Sequence, residues 1–130
     1  MTRIRAFTFR NGMMACIAVI ALTAVASVGD AAKGADVFKM CASCNAFKNG
    51  AGDGSFGPNL FGVSGGAAAA AANFGYSAAI KKSTFVWTDD KLIAWVRNPH
   101  VAVPGAKMAM VHTPTATSAE NVVADIGNRK

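Results

Sequence analysis

Two cysteines three residues apart, Cys41 and Cys44, carry the clearest chemical potential in this sequence. A C-x-x-C pair can close a disulfide, exchange electrons as a thiol redox pair, or attach a haem when a histidine follows directly. The residue that follows here is Asn45. The motif is therefore either a haem site without its usual iron ligand, a thiol redox pair, or a pair unrelated to haem.

Helices are the elements that must position these cysteines. Four segments combine apolar residues at helical spacing with a capping residue or a strong helical composition. They are residues 30–44, 76–82, 88–99 and 117–126. Asp30 and Thr88 are expected as N-caps, Pro99 as a stop, and Thr117 with Glu120 as a capping box.

The segments between these helices are long and rich in small residues. Residues 48–59 are dense in Gly, Asn and Asp, which predicts a loop. The alanine run of residues 65–73 predicts a weak turn or irregular connector, and residues 100–110 predict a loop around a Pro-Gly turn. No stretch shows convincing period-2 alternation. The prediction is an all-α fold whose long loops surround a central group.

The first 26 residues are typical of a secretory leader. They hold three arginines and no acid, then a short apolar run, then a small-residue A-x-A site at Ala24–Ala26. The alternative is a retained anchor, but the apolar run is short for a bilayer. We expect a signal peptide over 1–26, one domain over 27–130, and a periplasmic protein without a membrane anchor.

Removing the leader changes the charge. The formal net charge falls from +6 to +3 when its three arginines leave. That mild excess fits an acidic protein partner or a solvated surface equally well. There is no dense basic stripe or aromatic platform, so nucleic-acid binding is not expected.

An ordered series of motifs extends over about residues 30–126: "GADVF", "CASC", "GPNLFG", "FGYSAAI", "VW", "NP" and "PGAKM". This series resembles class I c-type cytochromes, the small electron carriers of bacteria and mitochondria. The resemblance implies a cytochrome c-like fold around a haem c, attached through thioethers. The residues it would place at the haem are Cys41, Cys44, Pro58, Tyr76, Trp87 and Met108.

The resemblance also implies a role for each of these residues. Met108 would be the distal iron ligand, and the Pro58 carbonyl would orient the proximal ligand. Tyr76 and Trp87 would donate hydrogen bonds to a haem propionate. Each has an ordinary alternative as a packing residue, although a buried Tyr or Trp still needs a partner for its polar end.

The chain departs from the family pattern at three places. Asn45 stands at the proximal histidine position, and an amide is a poor iron donor. A propionate partner expected after "GxxG" is replaced by Gly66 and Ala67, and the last helix has no aromatic to pack on the first. His100 and His112 flank the Met108 loop, so they are expected on the distal side or in solvent.

Three functions follow as hypotheses. The first is a monomeric, non-enzymatic electron carrier whose redox partners dock near Lys39, Lys48 and Lys107. The second is a haem protein with an open iron position and peroxidase-like or gas-binding activity. The third is a haem-free disulfide or thiol module. The sequence lacks the βαβ pattern expected of thioredoxin-like proteins, which argues against this third hypothesis.

Overall fold

The described part of the chain is helical. A computed structural model describes residues 29–109 and 114–129, and the expected leader and His112 lie outside these residues. The helices in the described part are α1 (Ala31–Cys41), α2 (Ala78–Lys81), α3 (Asp89–Arg97), α4 (Pro99–Ala102) and α5 (Ala116–Asn128). Within the same residues no helix is long and apolar enough to cross a membrane.

Helix α1 begins where the sequence predicts. The Asp30 carboxylate accepts hydrogen bonds from the backbone N–H groups of Ala32 and Lys33, at 3.0 and 3.3 Å. The Lys33 N–H bond is the main reason that the pKa of Asp30 lies below its ordinary value. The helix ends at Cys41, and a hydrogen-bonded turn carries the chain on to Cys44. The expected helical span to residue 44 is therefore three residues too long.

Helix α3 also begins as predicted, with the Thr88 side chain accepting from the Lys91 N–H. The loop expected from residue 100 is wrong at its start, because residues 99–102 form the short α4. Asn98 caps α4 by accepting from the Val101 N–H at 3.2 Å. Pro99 takes the first helical position, where its missing N–H costs nothing.

The N-terminus of α5 lies earlier than predicted. Thr115, not Thr117, is the N-cap, and its hydroxyl accepts from the Ser118 N–H at 3.1 Å. The expected capping box between Thr117 and Glu120 is therefore wrong. A hydroxyl residue two positions upstream competes for the same role, and periodicity alone does not separate the two.

The crossing of α1 and α5 closes the fold. Gly34 on α1 is buried directly against the backbone of Asn121 on α5, and a methyl group at Gly34 would overlap the Asn121 carbonyl. The Asn121 side chain also accepts from the Asp30 N–H at 2.7 Å. The close approach at this glycine sets how near the two helices lie.

Arg129 supplies the packing contact that the last helix was expected to lack. Its guanidinium lies over the rings of Phe38 and Phe47, 4.9 and 5.4 Å from their centroids. Its Nε donates to Asp125 Oδ1 at 2.9 Å. A planar cation can stack on aromatic faces, so an arginine occupies the place where an aromatic was expected.

The alanine-rich connector is irregular, as predicted. It is held through the isolated antiparallel bridge between Ala67 and Val86. Gly65 N–H donates to the Trp87 carbonyl and Trp87 N–H donates to the Gly66 carbonyl, both at 2.8 Å. These bonds place Trp87 in the interior, so a segment with little surface to bury still positions a large aromatic.

Candidate functional site

One large cavity brings the predicted site residues together. It has a volume of about 870 Å³, and its walls are mostly apolar. All six residues assigned to a haem by resemblance line it, together with Asn45: Cys41, Cys44, Pro58, Tyr76, Trp87 and Met108. A cavity of this size in so small a domain is suited to a large apolar ligand.

The cysteine pair lies at the edge of this cavity with both thiols free. Cys41 ends α1 and is partly buried, whereas Cys44 is exposed in the following turn. Burial raises the pKa of the Cys41 thiol above its ordinary value. A redox-active thiol needs the opposite shift, so this environment does not favour a thiol redox pair.

Asn45 is held by the carbonyl that was expected to orient the proximal ligand. Its Nδ2 donates to the Pro58 carbonyl oxygen at 2.9 Å. Gly57 is buried against the Asn45 amide, so no larger residue fits at that point of the loop. The amide thus makes a hydrogen bond that a ring N–H could make, while it brings no imidazole nitrogen to the cavity.

Backbone hydrogen bonds fasten the following loop to the cysteine turn. Phe56 N–H and Gly57 N–H both donate to the Cys44 carbonyl, at 3.1 and 3.0 Å. Leu60 N–H donates to the Ala46 carbonyl at 2.9 Å. The segment around Pro58 is therefore fixed relative to the cysteines by the chain itself.

Asn59 organises the same loop and was not predicted from the sequence. Its amide nitrogen donates to the carbonyls of Lys48 and Ala51, both at 2.9 Å, and its oxygen accepts from Phe61 N–H at 3.0 Å. Its own backbone N–H donates to Asp53 Oδ1 at 2.9 Å. An asparagine inside a Gly-rich loop is the signal that indicates such a role.

Met108 reaches the cavity from a tight turn. Ala106 N–H donates to the Val103 carbonyl at 3.0 Å, and Gly105 adopts a φ of 86°, which favours glycine. Met108 is partly buried and lines the cavity beside the exposed Lys107. The Pro-Gly turn predicted for this segment is present and presents the thioether to the cavity.

Tyr76 and Trp87 form aromatic parts of the wall. The Tyr76 hydroxyl accepts from the Ala71 N–H at 3.2 Å, which leaves its own proton free to donate. Burial raises the pKa of Tyr76 above its ordinary value. Trp87 packs edge-on against Trp95, 5.3 Å between centroids. Both residues pack in the wall, and the Tyr76 hydroxyl proton is available to a ligand.

Charged residues differ in their distance from the cavity. Lys48 and Lys107 line it, whereas Lys39 does not and pairs instead with Asp36 at 2.7 Å. That pairing raises the pKa of Lys39. His100 is exposed on α4 and does not line the cavity. Among the described residues no cluster of three His, Cys, Asp or Glu side chains could hold a metal ion.

Comparison with known proteins gives consistent results in sequence and fold. Cytochrome c of Ulva intestinalis is 44% identical over 81 residues, covering 62% of this chain and 72% of that protein. The cytochrome cy of Rhodobacter capsulatus is 38% identical over 97 residues, covering 74% of this chain and 47% of that protein. The chain belongs to the cytochrome c family. No family model matches the chain.

The structural comparison supports the same membership. Cytochrome cH from Methylobacterium extorquens superposes with a TM-score of 0.69 at 33% identity, over 77% of this chain and 99% of that one. The resemblance noted in the sequence and the all-α, cytochrome c-like fold are thereby confirmed. Cytochromes c are electron carriers rather than enzymes and carry covalently attached haem c.

The residues of this cytochrome c-family site fit a haem except at position 45. The cavity is large and apolar, free thiols stand at its edge, and Met108 offers a thioether within it. The position that should offer an imidazole holds Asn45, whose amide nitrogen is committed to Pro58. The described residues would therefore accommodate attachment and one axial ligand, whereas position 45 would not supply the second.

Proposed function

We propose that this chain is a periplasmic one-electron carrier with haem c on Cys41 and Cys44, and that the loss of the proximal histidine impairs it. The observation that supports this proposal is that one cavity is lined by all six residues that the resemblance assigns to the haem. When bound, the haem iron supplies the one-electron redox change. The chain's task is to hold the group, exclude water and keep its edge accessible.

The residues divide this task between them. Cys41 and Cys44 would anchor the group, while Met108 would give a soft axial donor that raises the reduction potential. Tyr76 can donate its hydroxyl proton to a carboxylate in the cavity, and the aromatic walls limit the entry of water. A dry pocket lowers the rearrangement that accompanies a change of iron charge.

A visible spectrum of the protein co-expressed with a haem-attachment system tests the proposal. We expect wild type to carry little covalent haem, with any bound iron high-spin, because the machinery and the iron both use the missing histidine. Asn45→His should raise haem yield and give a low-spin spectrum, measured side by side by pyridine haemochrome assay. A wild type fully loaded with low-spin haem would refute the impairment, and absence of haem from both proteins would refute the haem assignment.

An open iron position also supports a second candidate function. Because Asn45 Nδ2 is bound to the Pro58 carbonyl, Asn45 itself brings no strong iron donor to the proximal side of the cavity. Iron with a free position can bind peroxide or small gases, which a six-coordinate carrier excludes. Turnover of hydrogen peroxide by the wild type, lost in Asn45→His, would favour this function over electron transfer.

Redox partners should dock where the lysines surround the cavity. Lys48 and Lys107 line the cavity wall, whereas the charge of Lys39 is partly neutralised by its ion pair with Asp36. Oxidation of the reduced protein by hexacyanoferrate(III), a small anion, should slow in Lys107→Glu at low salt and less so in Lys39→Glu. Lys82→Glu, at an exposed site outside the cavity, is the matched control. Equal rates in all three variants would place the docking face elsewhere.

Periplasmic location rests on the leader over residues 1–26, which lies outside the described residues. Cleavage after Ala26 would give a mature protein that begins at Ser27. The intact mass of the protein in a periplasmic fraction measures this directly. A mass that still includes residues 1–26 would indicate an anchored protein.

A further inference from the structure

Position 45 gives this cavity a weak iron ligand in place of an imidazole. Asn45 turns its amide nitrogen to the Pro58 carbonyl at 2.9 Å, and an amide oxygen is a weak donor to iron. His100 is exposed and outside the cavity wall. When Cys41 and Cys44 are removed, the axial donor that the family pattern leaves in the described cavity is the Met108 thioether, a soft ligand that does not replace an imidazole.

The remaining binding determinants recognise a flat ring system rather than its metal. The cavity of about 870 Å³ is walled by the aromatic side chains of Phe61, Phe74, Tyr76, Trp87 and Trp95. Apolar burial contributes roughly 25 cal/mol per Å² whatever atom lies at the centre of the ring. The Tyr76 hydroxyl at the same wall has a proton free to donate to a ligand carboxylate. An iron-free porphyrin dicarboxylate offers the same flat apolar ring and the same two carboxylates as haemin.

We propose that this cavity binds tetrapyrrole dicarboxylates non-covalently and with little dependence on iron. An iron-free porphyrin is then bound about as tightly as haemin, and the protein accepts metal-free or foreign-metal macrocycles that a His-ligated relative discriminates against. This deepens the proposed function, because it rests on the same cavity being the haem pocket. Binding forms and breaks no covalent bond, so no reductant or oxidant takes part.

The test is a direct competition between haemin and protoporphyrin IX. The protein is the chain from Ser27 with Cys41→Ala and Cys44→Ala, which prevents attachment, and porphyrin fluorescence reports binding. Because both ligands bind the same polypeptide, any free energy needed to order the empty chain cancels from the ratio of the two dissociation constants. We expect that ratio to lie within about tenfold. A preference for haemin greater than tenfold overturns the proposal, as does absence of porphyrin binding.

Asn45→His in the same background is the positive control for the method. An imidazole at position 45 should lower the dissociation constant of haemin by more than about tenfold. It should change the dissociation constant of protoporphyrin IX by less than about threefold. If Asn45→His does not tighten haemin binding, the weak iron ligand at position 45 is not what sets the ratio of the two dissociation constants in the chain with Asn45. That result would refute the proposal.

Two tryptophan variants show whether the porphyrin occupies the cavity. Ala70 lines it and Ala72, two residues along the same connector, does not. Ala70→Trp should weaken both ligands at least about tenfold by filling space, and Ala72→Trp should leave both unchanged. Equal affinities in the two variants would place the macrocycle on the surface and refute the proposal. Porphyrin binding together with absence of covalent haem from both the cysteine-containing chain and its Asn45→His variant would sustain this inference while refuting the proposed electron-carrier function.

Discussion

Asn45 shows how one side chain can keep a local fold while changing the chemistry. Its Nδ2 satisfies the Pro58 carbonyl and ties the loop to the cysteine turn. A hydrogen bond of this kind is worth about 0.5–1.5 kcal/mol. The position is therefore structural in this chain, whatever the iron does.

Removing that amide should destabilise the empty protein. We expect Asn45→Ala to lower the free energy of unfolding by about 1 kcal/mol, because the Pro58 carbonyl loses its donor. Asn45→His should lower the free energy of unfolding by a smaller amount, since a ring N–H can donate to the same carbonyl. Urea denaturation of the haem-free variants measures both values. Equal losses in the two variants would show that the amide-to-carbonyl bond is not what matters.

The Cys41 thiol gives a pH-dependent prediction at the same scale. Burial raises its pKa, so the thiolate forms only at a pH above the ordinary thiol range. Iodoacetamide should therefore modify Cys41 more slowly than the same cysteine in a short peptide at pH 8. Peptide mass spectrometry across a pH series makes the comparison, and identical profiles would exclude a buried thiol.

The same raised pKa links stability to pH. The folded chain holds the Cys41 proton more tightly than the unfolded chain does. The protonated Cys41 thiol therefore makes its full contribution to the free energy of unfolding at a pH below the ordinary thiol pKa. That contribution decreases as the pH rises through the raised pKa of the folded chain. Cys41→Ala should remove this decline.

The elements are held chiefly by the crossing of α1 and α5. A glycine-to-alanine change in an exposed helix normally stabilises it by about 1 kcal/mol. At Gly34 the added methyl would meet the Asn121 carbonyl, so Gly34→Ala should instead cost at least about 2 kcal/mol. Gly52→Ala, where a methyl meets nothing within 4 Å, is the control. A stabilised Gly34→Ala in urea denaturation would show that the helices do not approach as described.

Arg129 is the second support of this crossing. Arg129→Ala should cost about 2 kcal/mol, because the rings of Phe38 and Phe47 lose a stacked cation and buried Asp125 loses its donor. Thermal unfolding monitored by circular dichroism measures the change. Arg97→Ala, at the exposed end of α3, should cost less than about 0.5 kcal/mol. Similar costs for the two arginines would contradict the stacking role.

The whole molecule depends on α5 for its core. The wholly buried Val122 and Val123 lie on this helix, which packs against both α1 and α3. A chain ending at residue 109 should therefore lose its cooperative urea transition, although α3 keeps its own cap. The chain from 27 to 130 is the control. A sigmoidal transition with an unchanged midpoint in the short chain would show that α5 is not required.

The sequence predicted contacts that depend on residue order and missed those that depend on close approach. Capped helices such as α1 and α3 follow from local chemistry, and the motif series brought Pro58 and Met108 to one cavity. The stacking of Arg129 over Phe38 could not be predicted, because periodicity does not show which side chains meet across a helix crossing. The sequence shows that Asn45 follows the cysteine pair, but the bond from Asn45 to Pro58 required coordinates.

The crossing of the first and last of these helices also has a consequence for synthesis. Asp30 and Asn121, which join the two helices, are 91 positions apart, and a ribosome adds about 5–20 residues per second. Helix α1 thus waits roughly 5–18 s for the partner that covers its Gly34 face. During that interval the nascent chain stays open, a state in which it can thread a translocation channel with its thiols accessible. For a protein exported as proposed here, late pairing of the chain's two ends would keep the cysteine segment unfolded until synthesis is nearly complete.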